Sequence, residues 1–184
     1  MTASPSNSLD HSNSFDADEQ GAPRHAYDAG LLLLRLVLGL TMAGHGAQKL
    51  FGWFSGPGLD VTGQFFTSVG YPAGKAMAVV DGLSELLGGL GLAVGVLTPL
   101  AGAAVIGVMV NAVAVKWGGG FFIPTGWEYE LTLATGAAAL ALTGPGRLAL
   151  DRHLPVVRAH RVGYGIASVA LGLVLGAVVL LFRG

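Results

Sequence analysis

Apolar residues gather into five long runs, roughly 29–51, 76–97, 100–117, 127–143 and 163–182, separated by shorter polar or aromatic segments. A helix needs about 20 residues, within a range of about 17–25, to cross the hydrocarbon of a bilayer. All five runs qualify, the fourth most narrowly. Between the second and third, Thr98 and Pro99 leave room only for a tight turn, so these two predict an antiparallel hairpin. The pattern therefore predicts an all-α integral membrane protein: a four-helix transmembrane bundle, extended by a fifth, C-terminal transmembrane helix.

Residues 1–27 break this pattern. Ser, Asn, Asp and Pro dominate and no apolar period is visible, which predicts a disordered polar tail. A basic stretch leading directly into an apolar core is missing, so the tail does not read as a cleavable signal peptide. The chain thus divides into the tail (1–27), a membrane bundle (28–151), and a basic linker with the last helix (152–184). The segment between the fourth and fifth runs, GPGRLALDRHLPVVRAHR, contains Arg147, Arg152, Arg158 and Arg161, a density no other loop approaches. By the positive-inside rule it is cytoplasmic. The N-terminus is then cytoplasmic and the C-terminus outside, in a multi-pass protein of the cell (inner) membrane.

Composition agrees. Of 184 residues 52% are hydrophobic and 11% charged, with a mean hydropathy of +0.63, whereas soluble domains carry about 25% charged residues. Thirty glycines suit close helix contact in a membrane. The absence of cysteine excludes thiol relays and iron–sulfur clusters held by their usual ligands. A net charge of −1 gives no electrostatic case for nucleic acid.

Threading the five runs brings their polar residues to one end. His45, Gln48 and Lys49 close the first helix and Asp81 and Glu85 open the second. Asn111 and Lys116 close the third, and Glu128 and Glu130 open the fourth. Spacings of three, four and seven stack His45, Gln48, Lys49 and Gly52 on one face, and Asp81, Glu85 and Gly88 repeat the pattern. Polar residues at helix ends commonly just meet headgroups, which accounts for Lys49, Lys116, Glu128 and Glu130. It accounts poorly for Glu85, about 15 Å into its span, and for His45, about two turns inside Gly52. These two are the leading candidates for proton chemistry or catalysis, because intramembrane ionisable groups normally face a protein interior or a wet cavity. Two lysines against four carboxylates also predict that one carboxyl, Glu85, is protonated near neutral pH, or that His45 is charged beside it. His45 with Glu85 and Glu128 lacks the close spacing of a metal site, and none is expected.

Arg35 lies about 21 Å along the helix from Lys49 and cannot join that cluster. It is expected to snorkel to the headgroups at the other end, or to bridge to Asp151 as a structural ion pair. The loops at the clustered end are aromatic: Trp53, Phe54, Phe65, Phe66, Trp117, Phe121, Phe122 and Trp127. Trp at an interface is usually an anchor. The segment LDVTGQFFTSVGYP can also form a short amphipathic helix over the mouth of the bundle, a rim suited to a flat ligand such as a quinone head group.

Four ordered stretches resemble the DoxX family: RLVLGLTMAGHGAQKLFGWF, the tripeptide GYP, ELLGGLGLAVGVLTPLAG and GWEYELTLATGAAALALTGPGRLALD. The resemblance spans about residues 28–151 and implies a four-helix membrane bundle linked to membrane redox or oxidative-stress assemblies. The family's name comes from a thiosulfate:quinone oxidoreductase subunit. His45, Gln48, Lys49, Glu85, Glu128 and Glu130 fall on these motifs. The expectation is a subunit of a membrane redox system with a quinone- or proton-linked pocket, quinone as the possible cofactor, and electrons from a redox protein partner. The alternatives are a non-enzymatic scaffold or assembly factor whose polar layer locks the bundle, and a small proton-coupled transporter.

Overall fold

The computed structural model describes residues 12–122, 124–153 and 162–184, with side chains from Arg24 onward. Six helices follow one another: α1 (Ser12–Phe51), α2 (Gly58–Ser68), α3 (Gly74–Val94), α4 (Thr98–Lys116), α5 (Glu128–Thr143) and α6 (Val162–Leu180). Among the described residues there is no strand. Four helical stretches are long and apolar enough to cross a bilayer: Arg24–Phe51, Gly74–Val94, Thr98–Gly119 and Val162–Leu180. α5 has 16 residues, about 24 Å of helix, and falls just short of that length.

The polar N-terminal segment departs from expectation. α1 begins at Ser12, so part of the stretch assigned to a disordered tail is helical, while residues 1–11 lie outside the described residues. Its alanines, with Glu19 and Gln20, are good helix formers, and a helix already nucleated by the apolar run extends into them cheaply. Asp28, only 7% exposed, anchors the start of the apolar run by accepting a 2.9 Å hydrogen bond from the Arg147 backbone N–H.

Glycine determines how the helices meet. A Cβ on Gly39 would lie 2.5 Å from Gly89 O and Ala93 N, and one on Gly46 would lie 2.6 Å from Gly82 O. The α1 and α3 backbones therefore touch, antiparallel, along glycines spaced seven apart on each helix. Gly102 of α4 packs on Ala137 and Ala141 of α5, while Lys116 meets Glu130 at the other end, so these two are also antiparallel. Gly172 and Gly176 of α6 lie against Ala103 and Gly107 of α4, in parallel. All five long elements thus run between the same two ends in the alternation expected of the sequence. Met42, Leu92, Val105, Ile106, Met109 and Leu140 fill the centre, and Leu33, Val37, Leu40 and Leu87 face outward, where lipid solvates them.

The end opposite the polar cluster is tied by two buried charges. Arg35 is 1% exposed; it neither snorkels nor forms the direct ion pair with Asp151. Its Nε donates to Leu92 O (3.0 Å) and its Nη2 to Ala93 O (3.0 Å). Its Nη1 donates to Pro145 O (2.7 Å) and Leu148 O (3.1 Å). Two of these carbonyls belong to the last turn of α3, where the helix's own donors run out and only Gly95 N–H reaches Leu92 O (3.2 Å), so the cation meets the negative end of a helix. Asp151 does the converse at the start of α4, accepting from the N–H groups of Leu97 (2.6 Å) and Thr98 (3.0 Å). Leu97 sits at φ 48°, a left-handed conformation that costs an L-residue about 1–2 kcal/mol, offset by the carboxylate. Gly95, at φ 72°, leaves the space the guanidinium fills, for a Cβ there would collide with it. Both residues therefore gather the 144–151 segment onto the α3–α4 turn through backbone groups. A planar fork and a carboxylate reach those groups better than they reach each other. Arg158 and Arg161 of the basic linker lie outside the described residues.

Replacing Arg35 with Met keeps volume but removes every donor. The variant is expected to lose about 3–5 kcal/mol of stability, read from denaturant-induced unfolding in detergent micelles. A loss under about 1 kcal/mol would place the residue among weakly coupled surface charges.

Candidate functional site

The last turns of α1 and α4 and the first turns of α3 and α5 bring their polar side chains together, as helix alternation requires. Lys49 Nζ contacts Asp81 Oδ2 at 2.5 Å and Glu85 Oε1 at 2.8 Å; the Glu85 side chain is 3% exposed. Lys116 Nζ contacts Glu130 Oε1 at 2.5 Å. His45 Nε2 and the Tyr129 hydroxyl are 3.0 Å apart, the proton direction depending on the imidazole tautomer. Tyr71 donates its hydroxyl to Asn111 Oδ1 at 2.8 Å. The Asn111 amide in turn donates to Gly107 O (3.0 Å) and Gly176 O (3.1 Å), tying α4 to α6.

These groups surround a cavity of about 310 Å³, at the small end of the range of about 300–1,000 Å³ for ligand pockets. His45, Lys49, Asp81, Glu85, Asn111, Lys116 and Glu130 all line it. Oε2 of Glu85 and Oε2 of Glu130 are buried and find no hydrogen-bond partner among the described residues. A buried acceptor left this way costs about 1–3 kcal/mol, and both belong to residues of the cavity wall.

Two expected members stand apart. Gln48 is off the cavity wall, donating to Phe54 O at 3.4 Å while its side chain stays within reach of the His45 ring. Glu128, half-buried, sits at the start of α5, where its backbone N–H bonds Phe121 O (2.9 Å) and its carbonyl accepts from the Thr132 hydroxyl (2.8 Å). It does not line the cavity. An α-helix turns 100° per residue, so Glu128 and Glu130 cannot share a face. Two tyrosines escaped the sequence reading, Tyr71 and Tyr129, both on the cavity wall. Their signals were present, one inside the GYP tripeptide and one between the two glutamates, but tyrosine in an aromatic-rich loop reads first as an interface anchor.

The amphipathic segment forms α2, which lies across the mouth with Phe65 and Phe66 on the cavity wall. Its buried Gly63 packs on the Lys75 backbone, and Asp60 pairs with Lys75 at 2.6 Å. The Lys75 ammonium, hydrogen-bonded to it, holds the Asp60 carboxyl below its ordinary range. Behind α2, Tyr71 is 2% exposed. Burial raises its phenol pKa above the ordinary value, against the opposing pull of nearby Arg183, so it stays a neutral donor at physiological pH. Arg183, just beyond α6, donates to Val69 O (2.8 Å) and Ala114 O (3.1 Å), so the end of the sixth helix clasps the same turn.

Fold and cavity define a polytopic helical membrane protein with a cluster of polar side chains lining a cavity at one end of its bundle. Comparison with known proteins places it more narrowly: the chain belongs to the DoxX family, whose profile matches residues 30–118. It is 34% identical over 127 residues to the protein named "Putative oxidoreductase CatD" of Bacillus subtilis, an alignment covering 68% of this chain and 87% of that one. It is 30% identical over 137 residues to the "Uncharacterized membrane protein Rv3486" of Mycobacterium tuberculosis, covering 67% of this chain and 80% of that one. No solved structure matches the chain.

Removing one member of a buried ion cluster leaves the others uncompensated. Lys49→Met is expected to lower stability by about 3–5 kcal/mol, and adding Asp81→Asn with Glu85→Gln to restore most of it, by unfolding in micelles. If the triple variant were no more stable than Lys49→Met alone, the three side chains would not act as one electrostatic unit.

Proposed function

We propose that this DoxX-family protein is a subunit of a membrane redox system and that its cavity takes the head group of a quinone. The observation that carries this reading is the pair of buried carboxylate oxygens of Glu85 and Glu130 that find no partner among the described residues. They belong to the wall of a cavity that also presents His45, Lys49 and Tyr129. A quinone head is flat, accepts hydrogen bonds at two carbonyl oxygens, and takes up two protons with two electrons on reduction to the quinol. His45 or Tyr129 donates to one carbonyl oxygen. Lys49 offsets negative charge that develops there; Glu85, protonated from water at the mouth, passes one proton to that oxygen, and water supplies the second proton to the other. The electrons come from a separate redox protein, because a chain without cysteine, and without a haem, flavin or nicotinamide signature, supplies no carrier of its own. The name of the Bacillus subtilis relative is consistent with a redox setting. The density of arginines in the 147–161 region supports a cytoplasmic N-terminus, with the cavity toward the outer face of the inner membrane.

One observation favours a structural scaffold instead: both cavity lysines are already engaged by carboxylates. The two readings separate in nanodiscs, by titrating a short-chain benzoquinone against tryptophan fluorescence. Trp117 adjoins Lys116 on the cavity wall and stacks on Trp127 at 5.2 Å, so this pair reports on the mouth. Saturable quenching that weakens about tenfold in Glu85→Gln, the loss of one charge-assisted hydrogen bond, is expected. Quenching that rises linearly, or is identical in the variant, would favour the scaffold.

A further inference from the structure

A second hollow, about 300 Å³, opens between α3, α4 and α6. Met77, Val80, Val108, Leu175, Val178 and Val179 supply most of its wall, and Ala103, Ala104, Gly107 and Gly176 keep it deep by contributing almost no side chain. Phe66, Asp81 and Asn111 line both this groove and the polar cavity, so the two share a wall. From Asn111 the groove follows α4 to Ala103, about 12 Å along the helix, away from the polar end and toward the middle of the apolar layer. Its rim is open, with Val80, Leu175 and Val178 all exposed to the surroundings of the bundle.

We infer that this groove receives the apolar tail of the ligand whose head enters the polar cavity, and that the ligand comes in sideways from the bilayer, between α3 and α6. The inference rests on the reading of the cavity as a head-group site and adds to it a class of ligand, an amphipathic quinone with an isoprenoid tail. The juxtaposition matches that class. A polar chamber sits at the interfacial depth of the bundle and an apolar channel leads from its wall toward the membrane interior. A water-soluble ligand has no use for the channel. α6 forms one wall of the groove and lies outside the 30–118 stretch that matches the family profile. The Asn111 amide that bonds Gly176 O holds α6 at the junction of the two compartments. A tail that leaves lipid for the groove exchanges one apolar surrounding for another, so its gain comes from packing rather than from the hydrophobic effect. The expected advantage is several-fold, not orders of magnitude.

The test compares a tail-less benzoquinone with the same head carrying two isoprene units, each titrated into the full chain in nanodiscs and expressed as mole fraction in the membrane. The tailed ligand is expected to bind several-fold tighter. Ala104→Phe, which fills the groove, should remove that advantage and leave the tail-less affinity unchanged. Ala104 also adjoins Gly88 of α3, so Val178→Trp, at the exposed rim, is the second variant and should have the same effect. Equal affinity of the two ligands for the wild-type chain overturns the groove assignment while leaving the head-group site intact. A tailed-ligand advantage that survives both variants also overturns it, and assigns the groove to bulk lipid. Failure of both ligands to saturate the wild-type chain removes the head-group reading and the groove assignment together.

Discussion

Where α1 crosses α3, backbone meets backbone, because Gly39, Gly46, Gly82 and Gly89 leave nothing between them. Such an approach is available only to small residues, and in lipid, where burial of apolar surface offers no advantage, close packing and hydrogen bonding have to hold helices together. Charged groups tie both ends of the same seam. Arg35 grips the last carbonyls of α3 at one end, and Lys49 grips Asp81 and Glu85 at the other. With α1 and α3 fixed in register, Glu85 is held at the depth of His45, and the hairpin into α4 brings Asn111 and Lys116 level with them.

The two buried ends differ in kind. Around Arg35 and Asp151 both charges are spent on backbone groups of the α3–α4 turn and the 144–151 segment, and the one buried side-chain atom there without a partner among the described residues is the uncharged hydroxyl of Thr98. Around Glu85 and Glu130 each carboxylate uses one oxygen on a lysine and leaves the other without a partner among the described residues. Half-satisfied buried polar groups are costly to keep. That asymmetry, more than the presence of charge, sets the cavity end apart as the place where a ligand belongs. Covered by α2, it also shares a wall with the apolar groove along α4, the placement of a site approached from the membrane.

Much of this was legible in the sequence. Period and length revealed the helices, and alternation alone brought His45, Lys49, Asp81, Glu85, Asn111, Lys116 and Glu130 to a common depth, since depth depends only on position along a helix. Facing is harder. Glu128 and Gln48 share that depth but do not line the cavity, a difference set by the packing of α5 on α4 and the fold of the Trp53–Ser55 turn. Arg35 reads as a snorkelling residue because its carbonyl partners come from segments 57 to 113 residues away, a contact no local pattern encodes. The start of α1 was obscured for the opposite reason, as polar composition hides helix formers that extend an existing helix.

The most direct test of a ligand site at the polar end is the nitrogen-15 spectrum of the histidine imidazoles in nanodiscs, recorded while a short-chain quinone is added. His45 lines the cavity, while His25 and His153 belong to the far end of the bundle, near the segments that Asp28 and Asp151 anchor. Of the five histidines in the chain, His45 is expected to shift saturably while His25 and His153 stay unmoved. Histidines that all shift alike, in proportion to the quinone dissolved in the bilayer, would contradict a site at the polar end.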